Sequence, residues 1–280
     1  MLKSYYHLTK PGIIYGNLLT ACAGYLMASR LKPEWKSFIA LAIGLSLVIG
    51  SACVLNNLYD RDIDKLMDRT RRRPSVSGEV SVTNGLIYAI AMAVIGFGLL
   101  ILLVNSRTAI VAAVGFVIYV VLYSYSKRKT HYATLIGSLS GAAPIVGGYV
   151  AFSGTLNSTA WILGLLMVVW QMPHFYAIAI FRAKEYKSAK IPVLSVVHGD
   201  KITCYFMLVY SLLFIALIIL LYRSEHLGLA YLVVMLIVSI GWLIVNIYGL
   251  FVSSLKQWAR KSFFASLVVL LVMSLMVAIR

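Results

Sequence analysis

The chain has 280 residues, 61% of them apolar and only 12% charged, with a mean hydropathy of +0.90. Soluble domains carry about 45–50% apolar and about 25% charged residues, so this composition excludes a water-soluble globule and leaves the lipid bilayer as the main solvent. A formal charge of +16 would suggest nucleic acid in a soluble protein. Here the basic residues sit in short segments between apolar runs, where they set orientation and face anionic headgroups, and nucleic-acid binding is not expected.

In chain order, the opening MLKSYYHLTKPG has neither the apolar core nor the small-residue cleavage site of a signal peptide. The first apolar run is therefore expected to serve as an uncleaved insertion signal, as suits a bacterial chain. Crossing the hydrocarbon core takes about 20 apolar residues. On that criterion nine spans follow, at 12–29, 38–58, 84–104, 108–126, 133–152, 160–181, 203–222, 228–252 and 262–279. Only helices and closed barrels satisfy their backbone in lipid, and runs this long are helices. The fold class expected is an all-α integral membrane protein with nine transmembrane helices. Cys22, Cys53 and Cys204 lie in or beside these runs without metal-ligand spacing and read as packing residues.

With the N-terminus inside, 19 Lys and Arg fall on the inner segments and 6 on the outer ones, Arg280 among the latter. That bias predicts a cytoplasmic N-terminus and a periplasmic C-terminus. The acids are as uneven. Asp60, Asp62, Asp64 and Asp68 crowd one inner stretch with Glu79 close behind, and Glu185 and Asp200 share the inner loop after the sixth span. The active face is thus expected at the cytoplasmic membrane surface.

Four constellations could carry chemistry. In NNLYDRDIDKLMDRTRRRP, Asn56, Asp60 and Asp64 are spaced four apart, so a helix continuing from the second span would stack them on one face, with Asp68 extending the row. Two carboxylates and an amide oxygen suit a hard divalent cation, which Mg²⁺ binding typically completes with substrate phosphates. A solvated, salt-bridged helix end is the plainer alternative, since Arg61, Lys65 and Arg69 interleave with the acids, but the Asn56–Asn57 pair at the end of a span needs polar partners. The loop FRAKEYKSAKIPVLSVVHGDK places Glu185 at the same surface. In YSYSKRKTHYATLIGSLSGAAPIVGG, Lys127, Arg128 and Lys129 could hold an anion, while Gly137, Gly141, Gly147 and Gly148 permit close helix packing or an opening for a flat ligand. In WQMPHF, the intramembrane His174 could be a base, a haem ligand or a hydrogen-bonded packing residue.

With these residues assembled, the chain resembles the UbiA superfamily of intramembrane prenyltransferases over essentially its whole length. Asn56, Asp60 and Asp64 match the superfamily's first acidic motif, Asn-Asp-x2-Asp-x3-Asp, with Asn57 standing where that motif has its first aspartate. TKPGIIYGN, RTRRRP, YSKRKT, GSLSGAAP, WQMPHF and EYKSAKIPVL are similar to the haem-farnesylating branch. The second acidic motif, usually Asp-x3-Asp, is reduced here to Glu185. The resemblance implies one membrane-embedded prenyltransferase domain over residues 1–280 in a bacterial inner membrane, moving a farnesyl group from farnesyl diphosphate to haem b, with haem b a substrate and Mg²⁺ the cofactor. It implies Mg²⁺ on Asn56, Asp60 and Asp64, with Glu185 as a further catalytic residue. It also implies substrate binding by Lys10, Asn17, Asn57, Lys65, Arg69, Arg73, Tyr123, Lys127, Arg128 and His174. Haem A synthase or the terminal oxidase assembly machinery would be downstream partners. Prenyl transfer to another aromatic or tetrapyrrole acceptor and, from a different class, secondary transport are the rival functions. Against transport, the acids cluster at one surface rather than at mid-membrane, and no internal repeat is evident.

Overall fold

A computed structural model describes residues 2–252 and 254–279. Arg280, counted above with the outer cations, lies outside the described residues. The chain is helical throughout its apolar runs, and its polar residues mark where helices begin and end. After a short N-terminal helix α1 (Leu2–Leu8) come α2 (Pro11–Ser29) and α3 (Trp35–Tyr59), then two single turns, α4 (Arg61–Asp64) and α5 (Pro74–Ser77). Helices α6 (Val82–Leu103), α7 (Ser106–Ser126), α8 (Ala133–Ser153) and α9 (Ser158–Phe181) follow. Two further short helices, α10 (Ala183–Ser188) and α11 (Leu194–Val197), lead into α12 (Asp200–Glu225), α13 (Leu229–Tyr248) and α14 (Leu255–Ile279). Ser81, Asn105 and Asn157 each accept a hydrogen bond from a backbone N–H in the first turn of α6, α7 and α9, satisfying donors that the helix leaves unpaired. Left-handed residues Arg30, Gly154 and His226 stop α2, α8 and α12.

Among the described residues, eight helices are long and apolar enough to cross a membrane. The ninth expected span, α2, is a continuous 19-residue helix that falls short of that measure. Gly12, Gly16 and the polar Asn17 dilute its first turns, and Gly12 and Asn17 face an internal cavity rather than lipid. The chain is a multi-pass membrane protein. Several spans run a turn past their expected edges, because aromatic and charged residues such as Trp35, Lys36, Trp258 and Arg260 continue a helix at an interface that hydropathy alone reads as its end.

The long helices close on themselves. Helix α2 packs on α3 and α8, α3 on α6, α6 on α7, α7 on α8, α8 on α9, and α9 on α12 and α14, while α13 bridges α12 to α14, which returns to α2. Helix α9 is the most buried span, and Leu163, Leu166, Phe214, Tyr231 and Trp242 form a core beside it. Residues such as Leu102, Val94 and Ile237 point outward, as lipid-facing side chains should. Lipid tails are as apolar as leucine, so the contacts between helices depend on close approach and hydrogen bonds. A β-carbon on Gly148 would strike the Ala21 carbonyl, and one on Gly24 the Ile145 carbonyl, so α2 and α8 touch backbone to backbone. Asn246 donates to Ser211 Oγ at 2.8 Å and accepts from Ser262 Oγ at 2.6 Å, tying α12, α13 and α14 together.

Candidate active site

At one end of the ring lies a cavity of about 950 Å³, at the upper end of the range of about 300–1,000 Å³ that small-ligand sites span. Its roof is built by the two polar loops. Ile63 and Met67 from the first pack with Tyr186, Ala189 and Ile191 from the second, and Ser188 Oγ donates to the Leu66 carbonyl at 3.2 Å.

The amide-and-carboxylate row lies on the cavity wall. Helix α3 stops at Tyr59 and one turn resumes at Arg61, but the ladder is kept. Asp60 N donates to Asn56 O at 2.9 Å, and Asp64 N to Asp60 O at 2.8 Å. Asn56, Asp60 and Asp64 therefore stay stacked, only 1–3% exposed, and all three line the cavity. Asp68 does not extend the row. Its side chain is 84% exposed and pairs with Arg71 at 3.4 Å, because the chain has left helical geometry after Asp64.

Each member of the row is held by a cation. Lys10 Nζ donates to Asn56 Oδ1 at 2.7 Å, Lys127 pairs with Asp60, and Arg73 Nη1 meets Asp64 Oδ2 at 2.6 Å. Asn56 Nδ2 is spent on Ser124 Oγ at 3.0 Å, which aims the amide oxygen at Lys10. Burial pulls the Lys10 ammonium down to about 8 and also lowers Lys127, as expected for cations removed from water. Arg128 stands outside the row. It grips Asp62 through two hydrogen bonds of 2.6 and 2.8 Å, which hold that carboxyl down to about 2, and lies over the Tyr59 ring with its Cζ 4.6 Å from the centroid.

Tyr119 and Tyr123 complete this wall. They fall in a widened turn of α7, Ile118–Tyr123, of the π type often found at functional sites. Their rings stack at 5.4 Å and 17°. The Tyr119 hydroxyl is 3.5 Å from Asn56 Oδ1, and Gly137 lets the Tyr123 ring lie close against α8, since a β-carbon there would come within 2.9 Å of it. Thus Gly137 and Gly141 shape the cavity, while Gly148 packs helices.

Of the expected substrate-binding residues, the cavity brings together Lys10, Asn17, Arg69, Arg73, Tyr123 and Lys127. The structure does not bring five other residues to its walls. Asn57 turns away and donates to the Leu8 carbonyl at 2.7 Å, answering the need for a polar partner by anchoring α1. Lys65 is exposed in the loop, and Arg128 is committed to Asp62. Glu185 accepts from Arg182 Nη1 at 2.5 Å through Oε1, an i,i+3 pair within its own loop, while its buried Oε2 has no hydrogen-bond partner. His174 is 9% exposed, shares a 2.7 Å hydrogen bond with Ser266 Oγ and stacks on Trp170 at 4.9 Å. These contacts pack it between α9 and α14. His174→Ala is expected to remove about 2–4 kcal/mol of stability and to leave substrate KM unchanged. Thermal unfolding in detergent beside steady-state kinetics checks this, and a raised KM at an unaltered midpoint would contradict it.

The cavity also holds residues that sequence reasoning passed over, among them Cys53, Tyr119, Gln171, Arg182, Tyr186 and Arg260. The four-residue spacing of Tyr119 from Tyr123 was the available signal for one of them. Cys22, Cys53 and Cys204 are free thiols, and Cys53 lies on the cavity wall.

Among the described residues no three of His, Cys, Asp and Glu are grouped to share a metal ion. Two carboxylates with an amide oxygen nevertheless fit Mg²⁺, a hard cation that takes one or two carboxylates and fills its remaining positions with water and phosphate oxygens. The buried Asp60 Oδ1 has no hydrogen-bond partner and an ion-pair contact of 3.7 Å with Arg128 Nη2. A buried carboxylate oxygen without a hydrogen bond is an acceptor suited to a cation.

Fold and site together define a polytopic membrane protein whose helices enclose a cavity with a charge-paired acidic row at one end. The chain belongs to the UbiA prenyltransferase family, whose sequence profile matches residues 17–268. It is 45% identical over 280 residues to protoheme IX farnesyltransferase of Yersinia pseudotuberculosis serotype O:1b (strain IP 31758), covering 100% of this chain and 95% of that one. In fold it is similar to a UbiA homologue from Aeropyrum pernix K1, with a TM-score of 0.77 at 21% identity over 94% of this chain and 97% of the other. It is likewise similar to a UbiA homologue from Archaeoglobus fulgidus solved with GPP and Mg²⁺, with a TM-score of 0.74 at 16% identity over 98% and 99%.

Proposed function

We propose that this chain transfers the farnesyl group of farnesyl diphosphate to the 2-vinyl group of haem b, giving haem O. The observation that carries the reading is the Asn56–Asp60–Asp64 row on the wall of a large cavity, in a chain 45% identical end to end to a protoheme IX farnesyltransferase. The fold's likeness to a homologue solved with GPP and Mg²⁺ supports a metal-bound prenyl diphosphate as donor.

In this reading Asn56, Asp60 and Asp64 hold Mg²⁺, which when bound neutralises the diphosphate and makes it a better leaving group. Lys10, Arg73 and Lys127 already stand against the row and are positioned to take up the charge that grows as the C1–O bond breaks. The stacked faces of Tyr119 and Tyr123 present negative quadrupoles to the allylic cation that remains. The π electrons of the vinyl group form the new carbon–carbon bond, and water adds to the resulting cation with loss of a proton, completing the hydroxyethylfarnesyl side chain. Met67 and Ile191, packed in one cluster of the roof, add apolar surface to the cavity.

The inner-loop bias in Lys and Arg supports a bacterial inner-membrane location with a cytoplasmic N-terminus, a periplasmic C-terminus and the cavity's polar end toward the cytoplasm. The product's use by haem A synthase or terminal oxidase assembly machinery belongs to the same proposal. Purified protein incubated with haem b, farnesyl diphosphate and Mg²⁺ is expected to give, by mass spectrometry, haem carrying one farnesyl group and one water. Prenylation of 4-hydroxybenzoate in its place, with haem b untouched, would overturn the acceptor.

A further inference from the structure

We propose that Arg182 and Arg260 receive the two propionates of the acceptor, forming a dicarboxylate subsite separate from the diphosphate pole; this deepens the haem reading and rests on it. Both arginines line the cavity. Both also lie over one ring, Phe181, with guanidinium carbons 5.5 and 5.9 Å from its centroid. A shared aromatic support gathers the two guanidiniums around Phe181, itself on the cavity wall, and each offers a planar fork to a carboxylate. They arise from the loop after α9 and from the first turns of α14, whereas the acidic row and its cations arise from α3, α7 and the segments beside them.

The two arginines also differ from the row's cations in their partners. Among the described residues the only acids on the cavity wall are Asp60 and Asp64, and both are paired with Lys127 and Arg73. Arg260 forms no ion pair among the described residues. Arg182 commits only Nη1, to Glu185, and a guanidinium carries five donors, so its remaining N–H groups are open to a second carboxylate. The wall beside them is aromatic, with Phe175, Phe263 and Phe264, and suits a macrocycle face. A ligand with a broad apolar plane and two carboxylates at one edge matches this end. A prenyl chain with a single diphosphate head does not.

The test compares haem b with its dimethyl ester in the wild type, Arg260→Gln and Arg260→Lys. Arg260→Gln is expected to raise the KM for haem b about tenfold, the effect of losing one charge-assisted hydrogen bond, with the KM for farnesyl diphosphate unchanged and Arg260→Lys restoring most of the loss. The wild type should show a similarly raised KM for the dimethyl ester, and Arg260→Gln should add nothing further to it. Equal use of haem b and its ester by the wild type would overturn the inference without any substitution. So would a rise in the farnesyl diphosphate KM alone, which would assign Arg260 to the donor. Failure of the wild type to farnesylate haem b at all removes the acceptor reading and this inference together, whereas normal haem turnover that ignores the propionates removes this inference alone.

Discussion

Asp60→Asn and Asp64→Asn are each expected to lower prenyl transfer by about 10²–10³-fold, and the double change by about 10⁴-fold or more. Each substitution changes charge at nearly constant shape. Asparagine keeps the volume and one acceptor oxygen of aspartate, so Lys127 and Arg73 retain a hydrogen-bond partner in each variant. What is lost is the pair of anionic oxygens that lets the row bind a divalent cation, and with it most of the neutralisation of the departing diphosphate. The loss should fall on kcat and on the Mg²⁺ concentration giving half-maximal rate. Chelation of Mg²⁺ from the wild type should reproduce the double variant, and adding chelator to the double variant should change nothing. Undiminished Mg²⁺-dependent turnover in Asp60→Asn/Asp64→Asn would refute the assignment of the row.

The parts of the fold that hydropathy governs were legible in the sequence. In lipid the backbone must satisfy itself, so every long apolar run became a helix within a turn or two of its expected edges. Helix α2 sits at the margin for a physical reason, because Asn17 faces the cavity and so counts against a measure that assumes lipid on all sides. The acidic row was legible because a four-residue spacing survives the break at Asp60. Residues whose partners lie far along the chain were not. Asn57 and His174 are polar groups inside a span, which marks them as needing partners, but nothing local says that those partners are the Leu8 carbonyl and Ser266. Glu185 resembles a second metal ligand by position, and Arg182, three residues back, takes one of its two carboxylate oxygens. Arg260 reads as one more interfacial cation until tertiary packing sets it on the same phenylalanine as Arg182.

Lys127→Met is expected to destabilise the protein by about 3–5 kcal/mol, since it removes the partner of a buried carboxylate and leaves the charge behind. Asp60 is 1% exposed and the Lys127 side chain 13%, so water cannot take the lysine's place. Arg128, at 3.7 Å, offsets the loss only in part because Asp62 already engages two of its nitrogens. The double variant Lys127→Met/Asp60→Asn removes both charges and should recover stability to within about 1 kcal/mol of the wild type while remaining inactive. Thermal unfolding of the two single variants and the double variant in the same detergent measures this coupling. The same pair governs metal binding. In the wild type a divalent cation must compete with the Lys127 ammonium for Asp60, and in Lys127→Met it does not. Added Mg²⁺ should therefore raise the unfolding midpoint of Lys127→Met more than that of the wild type, through its preference for the folded state, and should leave the double variant unmoved. Equal Mg²⁺ shifts in all three proteins would mean that the metal binds elsewhere and that Lys127 is only a structural counter-ion. A larger shift in the single variant would mean that the ammonium keeps the carboxylate row assembled until a metal-bearing diphosphate displaces it.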